Sequence, residues 1–140
     1  MNRTLACIAL TAVLCAGCGP RSPGATVSGI LRLDGQPAPA GLRIDFQPLD
    51  PAGSGSSGVT DAAGRYELWF NANLRGAMPG EHVVSVSVKR TTGPDGIPVV
   101  PEPLRGVRIP KTAGEDSTLT RTVMPGTNTI DVDIESSPKP

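Results

Sequence analysis

Three stretches of this chain alternate apolar and polar residues with a period of two, and that pattern restricts the fold more than any other feature. Leu42, Ile44 and Phe46 alternate with Arg43, Asp45 and Gln47. His82, Val84, Val86 and Val88 alternate with Val83, Ser85, Ser87 and Lys89, and Ile130, Val132 and Ile134 alternate with Asp131, Asp133 and Glu135. Successive side chains of a strand point to opposite faces, so each stretch offers one apolar and one solvated face. Val27, Leu31 and Leu33 share a face within residues 26–33, as do Tyr66, Leu68 and Phe70, and further strands are expected over 58–60, 118–123 and 128–134. No stretch carries a helical period. Glycine and proline number 17 and 15, so the segments between turns are short, and with 3% aromatic residues the core must be mostly Val, Ile and Leu. The expected fold is all-β, a single antiparallel β-sandwich of about seven strands.

The N-terminus has a different physical character. Arg3 supplies a positive end, and an almost wholly apolar run from Leu5 to Leu14 follows, shorter than the roughly 20 residues of a membrane-spanning helix. Ala16 and Gly17, small residues of the kind a signal peptidase needs beside its cut, stand directly before Cys18. The junction resembles a bacterial lipobox. It departs at the position three before the modified cysteine, usually Leu and here Cys15, with Leu14 one residue further back. The alternative is an ordinary secretory signal cut near the same place, which releases a soluble protein.

Cysteine usage agrees with lipidation. Cys7 and Cys15 would leave with the signal peptide, and Cys18 would carry the lipid, so no pair remains for an intramolecular disulfide. The expected layout is a lipoprotein signal peptide over 1–17, a lipid-anchored tether over 18–25, a β-sandwich domain over 26–135 and a tail over 136–140. By analogy with Gram-negative sorting, Gly19 rather than Asp after the cysteine gives no inner-membrane retention signal, so the expected location is the outer membrane, facing the periplasm. Thirteen basic and thirteen acidic residues are scattered along the chain, which leaves no electrostatic footprint for nucleic acid.

Turn chemistry punctuates the strands at Asp34-Gly35-Gln36-Pro37, at Asp61-Ala62-Ala63-Gly64 and at Met124-Pro125-Gly126-Thr127. Asp61 and Gly64 are expected to shape their turn, the carboxylate by accepting backbone N–H bonds and the glycine by taking a positive φ. Two stretches, 48–58 and 91–106, read as loops surplus to the sandwich, the second carrying Pro94, Pro98, Pro101 and Pro103.

In this order, Val27-Ser28-Gly29, Asp34-Gly35-Gln36-Pro37, Ile44-Asp45-Phe46, Thr60-Asp61-Ala62-Ala63-Gly64-Arg65-Tyr66-Glu67-Leu68 and Pro79-Gly80-Glu81-His82-Val83-Val84-Ser85-Val86 resemble the carboxypeptidase regulatory-like, or transthyretin-like, domain. Ile109-Pro110-Lys111, residues 117–120 and Pro125-Gly126-Thr127-Asn128 extend the resemblance toward small lipoproteins of planctomycete type. It covers almost all of the chain after Cys18 and implies a β-sandwich, with no catalytic motif among the matched residues. Members often carry an aromatic where His82 stands and a Tyr shortly after the Pro-Lys pair, where this chain has Thr112.

His82 is the only histidine, and its parity places it with the core valines. Nucleophilic triads and zinc sites need partners that converge on the imidazole, and the sequence offers no second histidine, no free cysteine after Cys18 and no nucleophile elbow. Transthyretin-like hydrolases end in Tyr-Arg-Gly-Ser, whereas this chain ends Ser136-Ser137-Pro138-Lys139-Pro140. Asp131, Asp133 and Glu135 are spaced roughly 6.6 Å apart along one strand face, too spread for calcium, which wants converging loop oxygens. Lysine-to-asparagine isopeptide bonds, known in related adhesin domains, need a lysine on an early strand, and the first lysine is Lys89.

Trp69 has the opposite parity to Tyr66 and Leu68 and so is a candidate partner contact on the outer face, unless it is covered by neighbouring side chains. No enzyme activity, cofactor or metal is expected. The functional expectation is a non-catalytic envelope lipoprotein, held to the membrane through the lipid on Cys18, whose sandwich binds envelope proteins or glycans. The alternative is a periplasmic small-ligand carrier or enzyme subunit that uses the sandwich loops.

Overall fold

The computed structural model describes residues 23–136; the expected signal peptide, Cys18 and most of the tether, together with residues 137–140, lie outside that range. The described residues are nearly all β in their regular structure. Thirteen strand segments are present: β1 (Ala25–Leu33), β2 (Gln36–Pro37), β3 (Leu42–Pro48), β4 (Ser56–Val59), β5 (Arg65–Glu67), β6 (Trp69–Asn71), β7 (Leu74–Arg75), β8 (Gly80–Val88), β9 (Thr91–Thr92), β10 (Pro98–Val99), β11 (Thr120–Val123), β12 (Gly126–Thr129) and β13 (Val132–Ile134). Single 3-10 turns at Glu102–Leu104 and Lys111–Ala113 complete the described elements.

The two cleanest alternating stretches become the central antiparallel pair, β3 against β8, with Ile44 opposite Val86 and Phe46 opposite Val84. Their apolar faces are sealed: Leu42, Ile44, Phe46, Val84 and Val86 are all buried, while Arg43 and Gln47 stay exposed. This pair lies in a six-stranded sheet ordered β11-β8-β3-β4-β6-β7. A second sheet is built on β1, which pairs with β12 and β13 along one edge and with β5 and β2 along the other. Val27, Leu31, Tyr66, Val132 and Ile134 from this sheet and the β3–β8 face join one buried cluster, which gives a β-sandwich-like arrangement.

The layout differs from the sequence expectation in three ways. First, the sandwich is not wholly antiparallel, because β1 runs parallel to both β12 and β13. A tight hairpin forces neighbours to be antiparallel, whereas the first and last strands are joined only through the whole domain and are free to align.

Second, the described residues form thirteen short strand segments where about seven strands were expected. Residues 128–134 do not form one strand: β12 and β13 are separated at Ile130 and Asp131, where the Asp131 carboxylate takes the Ile30 N–H at 2.9 Å in place of a ladder carbonyl. The expected strand through Tyr66, Leu68 and Phe70 is also broken. Its first half, β5, pairs with β1, and its second half, β6, pairs with β4 in the other sheet. Leu68 makes the crossing, fully buried, with its N–H donated to Val27 O and its carbonyl accepting from Gly76 N–H. Phe70, expected inside, is only half-buried.

Third, residues 91–106 are not surplus. Thr91 and Thr92 pair with Val99 and Pro98 in a small ribbon, but Leu104 further on is buried against the core and lies 3.3 Å from where a Gly41 side chain would begin. Prolines hid this segment's role because they break any period that would announce an inward-facing leucine.

Candidate functional site

Asp61 sits at the start of the turn between β4 and β5. One carboxylate oxygen accepts the N–H groups of Ala63 at 2.8 Å and Arg65 at 2.9 Å, and the Asp61 carbonyl accepts the Gly64 N–H. Gly64 has φ +73°, and a Cβ there would lie 2.7 Å from Leu31 O. Its own carbonyl accepts the Leu31 N–H at 2.8 Å, so the turn is stitched to β1 and no side chain fits between. Every contact made by this pair is backbone geometry.

The carboxylates of the last strand are exposed. Arg32 spans Asp131 and Asp133, at 3.4 and 3.5 Å. Among the described residues, no group of three or more His, Cys, Asp or Glu side chains is placed to hold a metal ion.

His82 is fully buried in β8, with Nε2 2.8 Å from the Met78 carbonyl. A carbonyl only accepts, so Nε2 carries the proton and Nδ1 presents a bare lone pair. That Nδ1 is buried and has no hydrogen-bond partner among the described residues, and the ring lies beside Phe46, with centroids 6.0 Å apart. Ser56 Oγ, on β4 at the far side of β3, is buried and also has no partner among the described residues. The ring is part of the core packing, and none of its partners is a carboxylate, hydroxyl or thiol.

Trp69 lies on the outer face of the β3–β4–β6 sheet and is 37% exposed. The Arg75 guanidinium stands over its ring, 4.9 Å from the centroid, and is itself 3.3 Å from the Glu67 carboxylate. One ring face is therefore already occupied by a cation–π contact made within the domain. Hollows flank the ring, one reaching Asp45, Gln47 and Asn71, the other reaching Ser28, Asp61 and Arg65.

A further hollow lies away from Trp69. A groove of about 800 Å³ runs along the second half of β8, from Ser85 to Val88, with Val100, Leu104, Val107 and Ile109 as apolar walls and Arg90 and Lys111 at the rim. Sequence reasoning did not find it. Its walls come from a stretch interrupted by prolines, and the available signal was five apolar residues, Val99, Val100 and Leu104 inside the 91–106 loop and Val107 and Ile109 just beyond it.

No protein-family model matches the sequence, and no curated protein matches it. Among solved structures, the chain is similar to BcpA, the major pilin subunit of Bacillus cereus, at 13% identity over 81% of this chain, with a TM-score of 0.44. It spans 30% of that pilin's length. It is also similar to the dioxygenase domain of a dioxygenase and carbohydrate-binding protein fusion from the cellulolytic bacterium Streptomyces sp. SirexAA-E, at 21% identity over 85% of each chain, with a TM-score of 0.37. A 9R-lipoxygenase from Cyanothece PCC8801 matches at 18% identity and a TM-score of 0.35, over 79% of this chain and 15% of that one. Likenesses this distant say nothing of activity, substrate or partner.

Proposed function

We propose that the chain is a membrane-anchored envelope lipoprotein, held by a lipid on Cys18 at the periplasmic face of the outer membrane, and that its sandwich binds envelope proteins or glycans without catalysing a reaction. We place that sandwich with the carboxypeptidase regulatory-like, transthyretin-like kind. The observation that carries this reading is the polarity of the domain. The described chain begins beside Ala77 and Gly126, since Ala25 bridges to Ala77 and pairs with Gly126. The large groove opens near Val88, which pairs with Leu42, and near Leu104, which packs on Gly41. Gly24 lies against Pro79, just before the start of β8 at Gly80, and the groove runs along Ser85 to Val88, roughly 17–26 Å further along the strand at the usual rise per residue. A tether attached before Gly24 presents the groove away from the membrane.

The placement of His82 supports binding over catalysis. A general base must reach a substrate proton, and this imidazole is fully buried, its one hydrogen bond among the described residues going to a main-chain carbonyl. The direct test is Cys18→Ala. Loss of palmitate labelling and of detergent-phase partitioning is the expected result. Unchanged processing and partitioning would show that the anchor lies elsewhere.

A further inference from the structure

The outer face of the six-stranded sheet carries a row of polar groups that ends on Trp69. Strand register sets Asp45 of β3 opposite Ser57 of β4, and Ser57 opposite Trp69 of β6. Residues directly opposite on adjacent strands share a face, so a carboxylate, a hydroxyl and an indole stand side by side. Neighbouring strands lie roughly 4.7–4.9 Å apart, which spreads the row over about 10 Å, the scale of a disaccharide. Residues of the other parity, Ile44, Phe46 and Leu68, are in the buried core, so the row faces solvent. Trp69 is 37% exposed and the Asp45 side chain 32%.

This face is hollow. A depression of about 710 Å³ is lined by Asp45, Gln47, Ser57, Trp69 and Asn71. Arg75 lines neither this depression nor the one on the other flank of the ring, so both reach indole surface that the guanidinium leaves uncovered. Gly55 makes room for Gln47: a Cβ there would lie 2.6 Å from Gln47 Oε1. Neither the Gln47 carboxamide nor the Ser57 hydroxyl has a hydrogen-bond partner among the described residues. The charges, in contrast, are already matched. Arg43 lies 2.8 Å from Asp45 and Arg75 lies 3.3 Å from Glu67.

We infer that this face binds a neutral oligosaccharide. A pyranose ring presents an apolar face of C–H bonds and a rim of hydroxyls. The row supplies the complement of both: the electron-rich face of an indole for the C–H bonds, then a carboxylate, a hydroxyl and an amide that donate and accept around the rim. The Arg43 guanidinium holds the Asp45 carboxylate in place without using all of its acceptor capacity. A charged polymer gains little from a face whose ion pairs are closed, which selects a neutral glycan. The inference rests on the binding reading and names the ligand class. It is independent of the anchor on Cys18.

The test uses the full chain, whose single tryptophan is Trp69, with cellotetraose, maltotetraose and chitotetraose as probes, followed by tryptophan emission and titration calorimetry. At least one of these sugars is expected to change the emission saturably and to shield the ring from acrylamide. Trp69→Ala abolishes the heat of binding. Gln47→Ala, at an exposed position, weakens binding about fivefold, the worth of one neutral hydrogen bond, and leaves unfolding unchanged. Three results would overturn the inference: no binding of any of these sugars at millimolar concentration, binding that survives in Trp69→Ala, or tighter binding of the acidic tetragalacturonate. Cross-linking to an envelope protein that is lost in Trp69→Ala, with no sugar bound, also overturns it and gives the face to a protein partner. A sugar that binds at Trp69 and is then cleaved contradicts the non-catalytic reading and leaves the site standing, so the two fail separately.

Discussion

The Tyr66 hydroxyl donates to the Ile130 carbonyl at 2.5 Å, across 64 residues of sequence, at the point where the returning strand is interrupted. The carbonyl is there because Gly29 has no side chain: a Cβ at that position would lie 1.8 Å from Ile130 O. Glycine, tyrosine and a bent backbone form one unit. Tyr66→Phe leaves the Ile130 carbonyl without its donor and is expected to cost about 1–2 kcal/mol in urea unfolding. Gly29→Ala forces the backbone of β1 and Ile130 apart and is expected to cost about 3 kcal/mol or more. Equal stability of both variants with the parent would remove this unit from the account.

Tyr66 also gives a pH readout, because it is the only tyrosine. Burial is the main cause that raises its phenol above the ordinary value, with the Asp131 carboxylate adding to the effect. The folded state thus favours the neutral phenol. The stability this lends is whole below the ordinary tyrosine range, near pH 10, and is lost progressively as pH rises above it. Absorbance titration of the folded chain should show no phenolate at a pH where the urea-unfolded chain is fully ionised. Coincident titrations would contradict the buried placement.

Much of this was legible in the sequence. The alternation through Leu42, Ile44 and Phe46 and through Val84 and Val86 marked the faces that are buried, and the parity of His82 placed it among them. The parallel pairing of β1 with β12 and β13 was not legible, because a strand's partner depends on the path of the whole chain and leaves no mark on its own pattern. The break at Leu68 was hidden for a different reason. Tyr66 and Leu68 both point inward on either side of a change of sheet, so the period continues across a discontinuity in pairing. The groove stayed invisible because its walls come from Val100, Leu104, Val107 and Ile109, which share no regular spacing.

The two parts of the long crossing should respond differently to change. Shortening the ribbon tip at Gly93 to Gly96, where Pro94, Asp95 and Gly96 are exposed, is expected to alter stability by less than about 1 kcal/mol, since loop length enters only logarithmically. Leu104→Ala empties a fully buried position and is expected to cost about 2–5 kcal/mol. Chemical denaturation of both variants checks this, and a tolerant Leu104 would mean that the crossing does not close the core.

Asp61→Ala removes the acceptor of two backbone N–H groups and is expected to lower stability by roughly 1–2 kcal/mol. Calcium should leave the melting temperature of the parent unchanged. A calcium-dependent rise of several degrees that disappears in Asp61→Ala would replace the turn assignment with a metal site.

His82→Phe removes a ring nitrogen that has no partner together with the bond to Met78, and it keeps the ring volume beside Phe46. The Met78 carbonyl is left without its donor, while the buried Nδ1 is removed, so the expected cost is about 1–2 kcal/mol. If the chain transforms a metabolite at enzyme-like rates and His82→Ala abolishes that without unfolding, the domain is an enzyme.

The central claim is a binding domain on a lipid tether, and the mass of the processed N-terminus in the native host tests it most directly. The expected species begins at Cys18, lacks residues 1–17 and carries the added mass of a diacylglyceryl group, with or without a further N-acyl chain. An unacylated polypeptide, or one whose N-terminus lies at another residue, would contradict the account.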